Sequence, residues 1–102
     1  MVKKICYING EDFTRKIREL PISVGKNLPD LILFDFTVPL KHKKSLDKII
    51  KGNREDKITI QYIEDTKVIE TLHFQGTIGF VFESDDKKLD FIYNFIGKLV
   101  NV

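Results

Sequence analysis

Residues 57–74, KITIQYIEDTKVIETLHF, decide the fold class, because they predict two strands joined by a tight turn. Apolar and polar side chains alternate along 57–63, as in a strand with one buried face. The polar run 64–66 predicts the turn, and 67–74 are expected to return as the partner strand. Such short connections favour antiparallel pairing.

The N-terminal region predicts a second pair of strands. Residues 2–8 (VKKICYI) form the first strand, and Asn9-Gly10 predicts a turn because both residues tolerate positive φ. Residues 12–18 are expected to return as a strand. The stretch 19–30 contains two Pro and one Gly and is expected to be a loop or an irregular edge strand.

Residues 31–38 (LILFDFTV) are the most strand-like segment of the chain. Alternate residues from Ile32 to Val38 are expected to face the core, and Leu31 and Leu33 predict burial on both faces at the start of the strand. Asp35 is expected to face solvent or a partner, and Pro39 should end the strand.

Two helices and a further strand complete the prediction. Ser45 is expected to cap a short helix over 45–51, and Gly76 should separate the strand 67–74 from a last strand over 77–83. A C-terminal amphipathic helix over 85–100 is predicted from an apolar stripe at helical spacing: Leu89, Ile92, Phe95, Ile96, Leu99 and Val100. The expected fold class is α+β: a curved, mostly antiparallel sheet or small β-barrel with the C-terminal helix packed on it.

Composition sets bounds on the class of protein. The 102 residues suffice for one domain, 1–102, and a net charge of +2 excludes a polybasic or acidic protein as a whole. One Cys allows no internal disulfide and fits a reducing compartment. No apolar run is long enough for a membrane helix, and residues 1–7 lack a signal-peptide core. We therefore expect no membrane partner and a location in the cytoplasm.

Motifs for catalysis or cofactor binding are missing from the sequence. The glycines form no phosphate-binding loop, so no cofactor is expected. Cys6, His42 and His73 are scattered, whereas a zinc site needs ligands at short spacing. A Cys6–His73 nucleophile and base pair is not favoured by the spacing, and Cys6 is expected to act as a small buried hydrophobe. The chain is expected not to be an enzyme.

The strongest local signal is the charge of residues 41–54. This segment contains six basic residues and one acidic residue, Asp47, a net charge of +5, which leaves −3 for the rest of a chain whose total is +2. The basic residues are Lys41, Lys43, Lys44, Lys48, Lys51 and Arg54. Three interpretations stay open: contact with an acidic protein surface, binding of nucleic acid, and a solvated face that only keeps the chain soluble. No aromatic residue interleaves the lysines, so base stacking is not indicated.

Two sequence motifs resemble a known family. INGEDFT (8–14) is similar to the opening, and LHFQGTI (72–78) to a later strand, of barrel domains in bacteriophage tail-tube and baseplate hub proteins. Between these two motifs, FDF (34–36) and KITI (57–60) occur in the order that the family's barrel domains show. The resemblance implies a non-enzymatic structural module that assembles into homo-oligomers or rings through strand edges and loops. These motifs do not imply the predicted C-terminal helix.

Two other classes of function remain open beside the structural module. One is a small cytoplasmic binding protein, such as an immunity or anti-defence inhibitor, that blocks a partner through a charged surface. The other is a weak nucleic-acid binder that uses residues 41–54, and an enzyme is the least favoured class.

Overall fold

Six antiparallel strands and one helix make up the part of the chain that the computed structural model describes. The description covers residues 2–18, 31–83 (without the side chain of Phe82) and 90–100. The elements are β1 Val2–Ile8, β2 Glu11–Asp12, β3 Leu31–Pro39, α1 Leu40–Ile49, β4 Asp56–Glu64, β5 Lys67–Glu83 and β6 Asp90–Leu99. The predicted loop 19–30 lies outside the described residues.

All strands belong to a single sheet in the order β2-β1-β4-β5-β6-β3, and every neighbouring pair is antiparallel. The α+β class and the antiparallel pairing are therefore confirmed. The alternative of a small barrel is wrong, because the sheet does not close. Arg18, in the segment after the edge strand β2, contacts the opposite side of the sheet. The Arg18 backbone N–H donates to the Thr37 carbonyl of β3 at 2.9 Å, and the Arg18 guanidinium lies 3.5 Å from the Asp90 carboxylate of β6.

The segment 13–18 forms turns instead of the predicted strand 12–18. The Asp12 carboxylate accepts the backbone N–H of Thr14 at 2.9 Å, a local hydrogen bond that favours a turn. The Thr14 hydroxyl then accepts the N–H of Cys6 at 3.0 Å. The Phe13 N–H still donates to the Cys6 carbonyl at 2.8 Å, but the reciprocal bond is lost to the Thr14 hydroxyl, so β2 ends after two residues. Phe13, which follows directly, is fully buried.

One face of the sheet carries the core. Alternate residues of β3, β4, β5 and β6 point into it, and Leu46 of α1 and Phe13 cover it. The inward residues of β3 are Ile32, Phe34, Phe36 and Val38, as predicted. The predicted burial of Leu31 and Leu33 is wrong, because these side chains lie on the face opposite the core and are 68% and 65% exposed. Asp35 is exposed, as predicted.

Both predicted tight turns are confirmed. Asn9 and Gly10 have φ angles of 49° and 87° between β1 and β2. Asp65 and Thr66 have φ angles of 47° and 69° between β4 and β5. Two successive residues with positive φ match the right-handed twist of the strands that they join.

The predicted C-terminal helix over 85–100 is wrong in its described part, because residues 90–99 form β6. This strand pairs with β5 on one edge and with β3 on the other, so it is the only neighbour of β3 in the described sheet. Phe91, Tyr93 and Phe95 alternate into the core, whereas Ile96 from the predicted helical stripe is 47% exposed. The start of the predicted helix, residues 85–89, lies outside the described residues.

Gly76 does not interrupt the sheet, contrary to the prediction, because β5 continues through it. Gly76 pairs directly with Gly97 of β6. A Cβ atom on Gly76 would lie 2.5 Å from the Gly97 Cα, and one on Gly97 would lie 2.6 Å from Phe95 Cζ. The two glycines therefore allow a close approach of β5 and β6 that no other residue type permits.

Helix α1 is longer than the predicted helix 45–51, since it begins at Leu40 directly after β3. Pro39 occupies the N-cap position, and no side chain there caps the helix. Ser45 consequently lies inside the helix and not at its start. Gly52 has a φ of 70° but lies beyond the C-cap residue Ile50, so it turns the loop toward β4 instead of ending the helix.

Candidate functional site

The basic segment occupies α1 and the loop that leads to β4. Lys41, Lys44 and Lys48 follow each other at spacings of three and four residues, which places them on one side of the helix. We call these three residues the basic stripe. All three are exposed, as are Lys51 and Arg54 in the following loop. None of the five forms an ion pair with a residue that the structure describes.

Lys43, the sixth predicted site residue, has a different environment. Its Nζ donates to Asp47 Oδ2 at 2.6 Å across one turn of α1. The same ammonium lies over three rings, with centroid distances of 5.1 Å to Phe80, 5.3 Å to Phe91 and 5.8 Å to Tyr93. The hydrogen bond with Asp47 raises the pKa of Lys43 above its ordinary value. Lys43 therefore fastens α1 to β5 and β6 through these contacts within the chain.

Asp47 is the only acidic residue of the segment, and its carboxylate is hydrogen-bonded to other residues of the chain. The Tyr93 hydroxyl donates to its Oδ1 at 2.6 Å, and Lys43 occupies Oδ2. Desolvation alone would raise the pKa of Asp47, but these hydrogen bonds outweigh it and lower the pKa. Burial, followed by the bond to Asp47, raises the pKa of Tyr93 to about 12. Because Lys43 and Asp47 neutralise each other, five exposed cations still give the surface +5.

Asp56 fixes the loop that carries Lys51 and Arg54, although it was not among the predicted site residues. Its side chain is fully buried and accepts four hydrogen bonds. The donors are the backbone N–H groups of Lys51 (2.6 Å), Gly52 (3.0 Å) and Ile78 (2.9 Å) and the Asn9 side-chain amide (3.0 Å). Desolvation would raise the pKa of Asp56, but these donors outweigh it and lower the pKa.

Asn9 connects the same loop to the first turn of the chain. Its amide nitrogen also donates to the Ile49 carbonyl at the end of α1 (2.7 Å), and its Oδ1 accepts the N–H of Lys57 (2.8 Å). The end of α1 is thus tied to the β1–β2 turn. The only sequence signal for this arrangement was Asn9-Gly10 itself, which predicts the turn but not a bond to residues about forty positions away.

The charge of the first turn of α1 is unfavourable for the helix itself. That turn contains no acidic residue, and Lys41 lies in it, close to the positive end of the helix dipole. Lys48, in the last turn, interacts favourably with the dipole. Helix stability therefore accounts for Lys48 but not for Lys41.

Cys6 and His73 lie on opposite faces of the sheet. Cys6 is buried on the core face, and burial, with a smaller contribution from Asp12, raises the pKa of its thiol to about 12. His73 lies on the other face, where its Nδ1 is 3.2 Å from the Thr59 hydroxyl. A nucleophile and base pair needs both groups within hydrogen-bond reach, which this placement prevents. Among the described residues, no three His, Cys, Asp or Glu side chains are close enough together to hold a metal ion.

A second group of cations, which sequence reasoning missed, lies between β1 and the turns 13–18. Lys3, Lys4, Arg15 and Lys16 line an open cavity of about 760 Å³ together with Asp12. The Lys16 ammonium lies 5.0 Å from the centroid of the Phe13 ring. This group contains an acidic residue and lies on a strand and turns, so it differs from the basic stripe in charge and in the element that carries it.

Comparison of the chain with protein-family models, with curated proteins and with solved structures gave no match. In the described part of the chain, α1 is neither long nor apolar enough to cross a membrane. The function is therefore argued from the geometry of the basic stripe and of the surfaces around it.

Proposed function

We propose that this chain is a non-enzymatic structural module of a phage tail or tail-like particle, located in the bacterial cytoplasm or in the virion, which docks an acidic neighbouring protein on α1. The observation that carries this proposal is the basic stripe. It is exposed, it lacks ion-pair partners in the described structure, and its helix is held in place by other residues. A rigid helix with an unpaired row of cations is suited to steering an acidic partner.

The position of the resembling motifs supports the structural role. INGEDFT spans the end of β1, the β1–β2 turn, β2 and the first two residues of the turns 13–18, and LHFQGTI lies within β5. The non-enzymatic part of the proposal has independent support: the only cysteine is buried with a raised thiol pKa, and Asp47 and Asp56 are occupied by hydrogen bonds inside the chain.

A binding assay with two anionic probes tests the proposal. The probes are poly-L-glutamate, which imitates an acidic protein surface, and a DNA duplex. We expect the chain to bind poly-L-glutamate with an affinity that falls as salt is added. The triple variant K41E/K44E/K48E should lose at least about tenfold in affinity, which corresponds to roughly 1.4 kcal/mol.

The matched control is K3E/R15E/K57E, which changes the net charge equally at three exposed positions away from α1. Binding that falls as much in the control as in the stripe variant would show that only total charge matters, and would overturn a site on α1.

DNA binding decides between the structural module and the nucleic-acid binder. The nucleic-acid function replaces the proposal if wild type binds the duplex far more tightly than poly-L-glutamate and the stripe variant has a shallower salt dependence. The slope should then fall by about 0.9 for each phosphate that a stripe lysine neutralises in the wild-type complex. We expect instead no preference for the duplex, because no aromatic side chain lies among the stripe lysines.

A further inference from the structure

The end of the β4–β5 hairpin exposes two consecutive apolar side chains. Val68 is 52% exposed and Ile69 is 47% exposed. In a regular strand one of two consecutive side chains would face the core. Here the register shifts between Tyr62 and Ile63, whose partners are Glu70 and Val68, so Ile69 is the extra residue of a bulge. The bulge turns both apolar side chains outward.

Acidic residues surround this hairpin end. Glu64 and Asp65 precede the two apolar residues, Glu70 follows them, and Lys67 is the one basic residue among them. Neither Glu64 nor Asp65 forms an ion pair with a described residue. The hairpin tip, residues 64–70, thus combines an apolar centre with a net charge of −2.

A groove with the opposite charge lies at the other end of the same strands. Its volume is about 650 Å³, and it runs past the Gly76–Gly97 pair. Leu31 and Ile96 supply apolar walls and are 68% and 47% exposed. The rest of the lining is Arg54, Gln75, Lys98 and Val100. The groove therefore has an apolar centre and two cations, Arg54 and Lys98, at its rim.

The tip and the groove of one chain cannot meet. The groove lies level with Gly76, which pairs with Asp56 at the start of β4, whereas the tip adjoins Glu64 at its end. The nine residues of β4 place the two levels eight residue steps apart, roughly 26 Å at about 3.3 Å per residue. Both are parts of one continuous sheet, so the distance is fixed.

We propose that the hairpin tip of one copy docks into the groove of a second copy, with Val68 and Ile69 against Leu31 and Ile96. The tip carboxylates then face Arg54 and Lys98, so that charge and apolar surface are complementary on both sides. This inference rests on the proposed role as a structural module, and it names a second copy of the chain as a partner on a surface separate from the basic stripe.

The contact is head to tail, which has a structural consequence. A copy whose tip is bound still has a free groove, and a copy whose groove is bound still has a free tip. Association by such a contact continues until a ring closes, or else it grows into a filament. A symmetrical pair in which the same patch meets itself would stop at two copies.

Two variants with opposite charge changes test this contact by sedimentation velocity. E64K/I69K makes the tip basic, and I96E/K98E makes the groove acidic; all four side chains are exposed. At concentrations where wild type associates, each variant alone should remain monomeric, because tip and groove then repel each other. Mixed in equal amounts, the two variants should associate again, because the basic tip fits the acidic groove and the unchanged tip fits the unchanged groove.

The matched control is E11K/R15E, with one charge of each sign reversed at exposed positions of β2 and of the turns 13–18. It should associate like wild type, and thermal unfolding of all variants should confirm that they are folded. The inference is overturned if either variant associates like wild type, if the mixture stays monomeric, or if wild type is monomeric at every concentration.

Failure of this contact and failure of the proposed function give different results. If K41E/K44E/K48E abolishes self-association and the tip and groove variants do not, the second copy docks on α1, and the structural role stands without the tip contact. If the tip and groove results are as expected but the stripe variant binds poly-L-glutamate like wild type, the contact between copies stands and docking on α1 is wrong.

Discussion

The two sides of α1 differ in what their residues contact. The inward side carries the fully buried Leu46, the Asp47 carboxylate held by Tyr93 and Lys43, and the Ile49 carbonyl that accepts from Asn9. The outward side carries the basic stripe, whose lysines have no ion-pair partner in the described structure. One side contains the interactions that stabilise the helix, and the other leaves its charges to solvent.

This difference means that stability and binding depend on separate residues. Lys43 shows the distinction best, since it lies between Lys41 and Lys44 in sequence but contacts Asp47 and three aromatic rings. Substitutions on the inward side should therefore change the free energy of unfolding, and substitutions in the stripe should change affinity.

The largest effect is expected at Asp56, which fixes the loop after α1. Asp56→Ala leaves the buried N–H of Ile78 and three further donors without their acceptor. Hydrogen bonds to a charged group contribute about 1.5–3 kcal/mol each, so the free energy of unfolding should fall by at least about 3 kcal/mol. Denaturant unfolding measures it, with Glu55→Ala, an exposed neighbour, as the control that should stay within about 0.5 kcal/mol.

The pH dependence of the same variant sharpens this result. The folded-state pKa of Asp56 lies below its ordinary value of 3.8, so its contribution is complete above that value and is lost as the pH falls through the folded-state pKa. Wild type should lose stability on acidification below about pH 4, and Asp56→Asn should lose less over the same interval. Equal losses in both proteins would mean that the carboxylate is not held in its charged form.

A substitution at Gly97 tests whether residues 90–99, which α1 packs against, form the strand β6 or the predicted helix. In β6 an added Cβ would collide with the Gln75 carbonyl oxygen and with the Phe95 ring, so Gly97→Ala should destabilise the protein by about 1–3 kcal/mol. In a helix the same change would stabilise it by about 1 kcal/mol. Gly79→Ala is the control, because its Cβ would meet only Asn94 Oδ1 at an ordinary 3.4 Å.

A smaller effect is expected from Tyr93→Phe, which removes the hydrogen bond to Asp47 but keeps the ring. The loss should be about 1.5 kcal/mol, the low end for a hydrogen bond to a charged group, because the Asp47 side chain is partly exposed. Tyr7→Phe serves as the comparison, since the Tyr7 hydroxyl has no hydrogen bond with a described residue. Binding of poly-L-glutamate should be unchanged in Tyr93→Phe; a marked loss of affinity would contradict the separation of the two sides.

The smallest effect on stability is expected from the stripe variant K41E/K44E/K48E. Surface substitutions usually stay within about 0.5 kcal/mol each, and Glu at position 41 interacts favourably with the helix dipole. Lys43 is kept because its ammonium binds Asp47. Thermal unfolding should therefore match wild type, and a cooperative loss of structure would show that the stripe belongs to the stabilising side.

Alternation and turn chemistry made much of the sheet predictable. Alternate residues are apolar in the strands at 31–38 and 57–63, and Asn9-Gly10 marks the turn directly after the strand at 2–8. The C-terminal strand was missed because its apolar residues satisfy two periods at once. Ile92, Phe95 and Ile96 fit a helix, whereas Phe91, Tyr93 and Phe95 fit a strand. Gly97 and the aromatic residues favour the strand, but only pairing with β3 and β5 decides it.

The candidate site was predictable in its charge but not in its contacts. The basic residues counted in 41–54 lie on α1 and in the following loop. It did not separate Lys43 from the other cations, because Phe80 and Tyr93 are distant in sequence. Asp56 and Asn9 were missed for the same reason, since their bond joins residues 47 positions apart.

Sedimentation velocity of the wild-type chain at increasing concentration tests the central claim, that this is an assembling structural module, most directly. The account predicts that the sedimentation coefficient rises with concentration beyond that of the 11.9 kDa monomer and falls again when salt is added, because charge pairs contribute to the contact. A single 11.9 kDa species at every concentration would contradict it and would favour a small binding protein that acts as a monomer.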